Sequence, residues 1–187
     1  MVDRVAIPGS TGTLLEHYAR TRIEFRDPAT AADSVLHPEP PGHFGEWPFP
    51  GSESAAVVTA WHPRSEPGRD PERNRADLDH LRRIVLGAGF RAIDCVGIGA
   101  ATDVSPSPAP GLPGHPDVDG IVEPWSEPSL LVPGVSRGAA CDWAARFDQN
   151  AIFWWTATQW RIVGVLLEMP DVVLGWRLSR PGEVARP

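Results

Sequence analysis

Lysine is missing from this sequence, so its 17 basic residues are all arginine, against 24 acidic ones for a formal net charge of −7. No basic run or stripe occurs, and an acidic chain without one lacks the electrostatic footprint of a nucleic-acid binder. Long apolar runs are absent too. The best candidate, residues 151–167, is broken by Gln159 and Arg161, short of the roughly 18 residues that a bilayer span needs. The opening residues, Met1 to Ser10, hold no apolar core of a secretory leader, so a cytoplasmic protein with no membrane partner is expected. Cysteine is scarce. Cys95 and Cys141 stand far apart with no metal-ligand spacing, which predicts two buried thiols, with a disulfide as the lesser alternative.

Cofactor signatures are equally thin. Gly97-Ile-Gly99 lacks the third glycine and the following helix of a dinucleotide fingerprint. Neither a phosphate-binding loop, a nucleophile elbow nor a Cys–His pairing is present. His115, Asp117 and Asp119 share one loop, but without a second cluster they predict adventitious metal at most. Neither a cofactor nor a metal is expected.

What is present is the material of a core. A 42% hydrophobic fraction with 8 tryptophans in 187 residues argues for one globular domain over 1–187. Leu14 to Arg20 has a short helical pattern, and Thr21 to Arg26 alternates like a half-exposed strand. Residues 27–54 are rich in proline and glycine and read as an arm or loop; 99–126 read as a proline-rich loop insertion. Ala55 to Ala60 reads as the first core strand. Asp70 is an N-cap, Pro71 fits the first helical turn, and Leu78, Leu81 and Val85 form a buried stripe ending at Gly87 and Gly89. Phe90 to Ile98 and Leu130 to Val132 read as strands. Ser136 caps a helix carrying Ala140, Trp143, Ala144 and Phe147, and Ala151 to Thr156, Trp160 to Leu167 and Val172 to Leu178 complete the strands. The order β-α-β, loop, β-α-β predicts an α+β, ferredoxin-like split βαβ sandwich, extended by the N-terminal strand and a C-terminal hairpin.

Three stretches carry distinctive side chains: Thr59-Ala60-Trp61-His62-Pro63-Arg64-Ser65 with Asn74 beyond it, Glu127-Pro128-Ser129-Leu130-Leu131-Val132, and Phe147-Asp148-Gln149-Asn150-Ala151 with Trp154. They resemble the bacterial domain-of-unknown-function family 3293, with its T-A-W-N-P-x-S, E-P-S-x-L-V and F-G-Q-N-A-V-x-W segments. His62 stands where that pattern has asparagine, and Asp148 where it has glycine. The resemblance implies a shared site and no particular reaction.

Strand ends are where a small α+β domain collects polar groups. In the expected topology, antiparallel neighbours bring the end of the first core strand beside the start of the third. His62 and Ser65 would then meet Glu127 and Ser129, with Gln149 and Asn150 joining from the fourth strand. His62 and Glu127 are the expected proton-transfer pair, because imidazole titrates near neutrality and a half-buried carboxyl can be raised toward it. Thr59, Trp61, Ser65, Asn74, Ser129, Gln149 and Asn150 are the expected ligand contacts. The same residue types also cap helices, pair with arginine and pack in cores. The leading expectation is a cofactor-independent acid–base enzyme for a small polar or heteroaromatic molecule. A non-catalytic small-molecule-binding module and a homo-oligomeric interaction protein are the alternatives, and a homodimer through sheet edges suits any of them.

Overall fold

The computed structural model describes residues 11–27, 30–65, 69–99 and 126–180, excluding the side chains of residues 11–13 and 65. The proline-rich insertion and its His115, Asp117 and Asp119 lie outside the described residues, apart from Gly99 and Ser126 at its ends. In chain order the elements are α1 (Thr11–Ala19), β1 (Arg22–Arg26), β2 (Asp33–Glu39), β3 (Ser54–Val58), α2 (Pro71–Gly87) and β4 (Ile93–Ile98). They continue with β5 (Ser126–Pro133), α3 (Arg137–Arg146), β6 (Ala151–Thr156), β7 (Gln159–Gly164) and β8 (Val172–Ser179).

The 8 strands close into an antiparallel barrel in the order β1-β2-β8-β7-β6-β3-β5-β4, with β4 returning to β1. The ferredoxin-like sandwich is therefore incorrect. Its four expected strands make one wall, β6-β3-β5-β4, but the sheet does not stop there. The strand that closes it is β2, which lies within the segment read as an arm. It pairs with β1 through Leu36 and Ile23 and with β8 through Leu36 and Leu178. Ser34 and Leu36 are buried, yet His37 and Pro38 interrupt the hydrophobic signal. Closure pairs every edge strand, so the edge-to-edge route to a dimer has no open edge here.

Two cores follow from the alternation of side chains across the barrel wall. Ala55, Val57, Leu131 and Trp155 point into the lumen with Ile23, Leu36, Trp160 and Trp176. Ala56, Val58, Leu130 and Val132 point outward and are covered by Leu78, Leu81 and Val85 of α2 and by Ala140, Trp143 and Ala144 of α3. Being buried on both faces is why β3 and β5 read as continuous apolar runs. Both helices start at the expected caps: Asp70 accepts from the Glu72 amide and Ser136 from that of Ala139. None of the described helices is long and apolar enough to cross a membrane.

One end of the barrel is plugged by the loop between β2 and β3. Trp47 packs edge-on against Phe49, Trp155 and Trp176, at ring-centroid distances of 5.5, 4.9 and 6.2 Å. Its indole N–H donates to the carbonyls of Phe49 and Ser52 at 2.9 and 2.7 Å. Cys95 is buried and Cys141 partly so, and both are free thiols; burial pushes both above the ordinary thiol range.

Candidate functional site

The other end of the barrel is open inside. A cavity of about 380 Å³ lies there, lined by Ile23, Val57, Gly97, Glu127, Ser129 and Phe153 among others, and α1 supplies Leu14, His17 and Tyr18 to it. It forms where β3 ends and β5 and β6 begin, because β3 runs antiparallel to both. Five residues expected at the site meet here: Thr59, His62, Glu127, Ser129 and Gln149.

Glu127 is the distinctive member. On β5 the residues at 127, 129 and 131 share one face; Leu131 belongs to the lumen core, so Glu127 faces inward at the mouth. Directly across the ladder sits Gly97 of β4, which offers no side chain to fill the space beside the carboxyl. A Cβ there would touch Ile23 Cδ1 and Thr21 Cγ2 only in ordinary contact, at 3.7 Å each. Among the described residues no cation pairs with Glu127, and burial raises its carboxyl to about 8. The group is thus mainly protonated at neutral pH, as a carboxylic acid that can both donate and accept.

The remaining polar groups mostly serve the backbone. Thr59 Oγ1 donates to the Pro128 carbonyl at 2.9 Å and accepts from the Trp61 amide at 3.0 Å, tying β3 to β5. Ser129 Oγ donates to the Glu127 carbonyl at 3.2 Å. Gln149 Nε2 donates to the carbonyls of Trp61 and Phe147, both at 3.1 Å. These bonds fix the turn after β3 against the turn before β6, and the Arg64 amide adds one to the Asp148 carbonyl at 2.8 Å.

Three expected contacts are not part of the cavity wall. Trp61 packs on the outer core. Asn150 is buried, and its carbonyl accepts from the amides of Val165, Leu166 and Leu167 at 2.9 to 3.3 Å. Asn74 is buried in α2, where its Oδ1 accepts from the His62 amide at 3.3 Å and from Arg69 at 3.2 Å. Its role is to hold the turn that carries His62. Asn74→Ala should cost roughly 1–3 kcal/mol by orphaning those donors, measured by chemical denaturation. The Ser65 side chain lies outside the described residues, and its backbone belongs to a short 3-10 turn, Pro63–Ser65.

The two departures from the pattern that the motifs resemble fall where the backbone is unusual. His62 and Asp148 both adopt left-handed conformations, with φ of 43° and 53°. Asparagine and glycine are the residues that enter this region most readily, so both positions carry a conformational demand that His62 and Asp148 meet here. His62 still borders the cavity, but no hydrogen bond joins it to Glu127. What sequence reasoning missed is α1: His17 brings a second imidazole to the mouth, and Tyr18 packs edge-on against Phe153 with centroids 6.1 Å apart. Leu14 and Tyr18, one helical turn apart with His17 between them, were the available signal. Among the described residues no three His, Cys, Asp or Glu side chains are grouped to hold a metal ion.

A family model described as a protein of unknown function (DUF3293) matches residues 117–152. The likeness carried by the sequence motifs therefore holds over a span that includes Glu127, Ser129, Gln149 and Asn150. Among curated proteins and among solved structures nothing matches.

Proposed function

We propose that the barrel mouth binds a small molecule and exchanges a proton with it through Glu127. The observation that carries this reading is a carboxyl facing an open cavity, with no counter-ion among the described residues and raised to about 8 by burial. A general acid or base works best when its pKa lies near the working pH. At about 380 Å³ the cavity stands at the small end of ligand sites, which suits a compact substrate. His17 and His62 are the groups placed to relay the proton onward, His17 from α1 and His62 from the turn after β3. Gln149 and Asn74 act by holding that turn. No cofactor is needed for this chemistry.

A second reading, binding without turnover, is favoured by one feature: no hydrogen bond joins Glu127 to either imidazole, so the three groups form no continuous relay. An interaction protein is the least supported class. Among the described residues only Phe44 and Leu86 are large exposed hydrophobics, too few for an apolar docking patch.

Native mass spectrometry of the freshly purified chain, followed by denaturing extraction, tests the proposal. A molecule released from the wild type and absent from Gly97→Leu, which fills the lumen beside Glu127, is expected. Incubated with the wild type it should change chemically, and Glu127→Gln should slow that change by roughly a hundredfold or more. A molecule retained equally by Gly97→Leu would place binding elsewhere, and one returned unchanged would support the binding module instead.

A further inference from the structure

We infer that the mouth cavity is built for a flat organic base, an amidine or an amino-substituted heteroaromatic ring, held through its N–H groups by the carboxyl of Glu127. This rests on the reading of the cavity as a small-molecule site and names the chemistry of its occupant.

The argument is a census of the wall. The Thr59 and Ser129 hydroxyl protons and the Gln149 amide protons are already given to backbone carbonyls. No arginine among the described residues lines the cavity. Besides the imidazoles of His17 and His62, no basic side chain among the described residues stands ready to receive an anionic head group, so a carboxylate or phosphate would be buried beside Glu127 without a permanent counter-charge. At the inner wall, away from His17, Tyr18 and His62, the free capacity is that of an acceptor once Glu127 ionises, in its two carboxylate oxygens. An occupant must therefore bring donors. A planar carboxyl accepts two parallel N–H bonds from a planar N–C–N fork, the geometry that makes guanidinium and amidinium pairs strong.

The apolar remainder of the wall fits a flat body. Phe153 and Tyr18 meet edge to face at 87°, so aromatic surface borders the cavity, and such surface also favours a cation. Ile23 and Val57 form further sides, and Gly97 leaves the space next to the carboxyl open. The titratable groups facing this space are His17 and Tyr18 from α1 and His62 from the turn after β3.

Three probes of nearly equal size and shape, benzamidine, benzamide and benzoate, discriminate the cases by NMR titration of the full chain. Benzamidine should shift the amides of Gly97, Glu127 and Phe153 and bind more tightly than benzoate by about tenfold or more. A cation takes the ionised form of Glu127 and releases its proton to solvent. Benzamidine affinity should accordingly rise with pH until about 8 and then level, given the carboxyl raised to about 8. Benzamide, whose carbonyl accepts from the protonated acid, should weaken above that pH. Glu127→Gln should lose the benzamidine preference and both pH slopes while still binding benzamide. Benzoate binding best, or benzamidine binding untouched by Glu127→Gln, would overturn the inference and leave the cavity reading standing. If none of the three shifts the mouth amides at millimolar concentration, the cavity reading falls with it.

Discussion

Replacing Glu127 by glutamine should leave the stability of the fold nearly unchanged at pH 4 and raise it substantially at pH 8. In the unfolded chain this carboxyl titrates at its ordinary value of 4.5, whereas burial holds it at about 8 in the fold. The folded state therefore keeps a proton that the unfolded state has released. Wild-type stability is at its fullest below pH 4.5 and declines as pH rises through 8, by up to a factor of ten in the folding equilibrium per pH unit. Glutamine is isosteric with the protonated acid and does not titrate, so the slope should vanish. Glu127 retains partial solvent access, which softens the effect to the order of 3 kcal/mol at pH 8, or a rise of about 5–10 °C in Tm. Thermal melts of both proteins from pH 4 to 9 measure it. A site residue whose removal stabilises the fold would fit a group kept for chemistry at the expense of stability.

Gly175→Ala should be among the most damaging single-methyl changes the chain can suffer. A Cβ at this position of β8 would be driven into the carbonyl oxygens of Pro40 and His43. Both are backbone atoms of the loop that carries the Trp47 plug, and the Trp176 amide donates to the His43 carbonyl at 2.8 Å. The clash has no flexible side chain to absorb it, so the loop must leave the barrel end and take Trp47 off Trp155 and Trp176. We expect a loss on the order of 3 kcal/mol or more, with a red shift of tryptophan emission as the plug is wetted. Gly87→Ala is the control: nothing lies within 4 Å of its Cβ, and in a helix alanine should be neutral or stabilising by about 0.5–1 kcal/mol.

Legibility in the sequence followed the range of the interactions. Helix starts at Asp70 and Ser136 were readable because capping is decided within a few residues. The doubly buried strands β3 and β5 announced themselves as apolar runs. Barrel closure did not, because it hangs on β2, where His37 and Pro38 obscure an alternation that only Leu36 and Ser34 carry inward. Register between β2 and β8 is set by residues about 140 positions apart, such as Leu36 and Leu178, and no local pattern encodes it. The site divided in the same way. That His62, Glu127, Ser129 and Gln149 border one cavity was legible from asking which strand ends become neighbours, a question that depends only on the adjacency of β3, β5 and β6. His17 and Tyr18 were missed because nothing in their own segment says that α1 sits over a barrel mouth. Trp61 and Asn74 were expected at the same site, but the one packs outward and the other anchors a turn.

The most direct test of the account is a ¹³C NMR titration of the Glu127 side-chain carboxyl in the folded chain. We predict an inflection near pH 8, as expected for a carboxyl raised to about 8 by burial alone. An inflection in the ordinary carboxylate range would mean that the group is solvated or paired, and the proton-exchanging cavity would be contradicted.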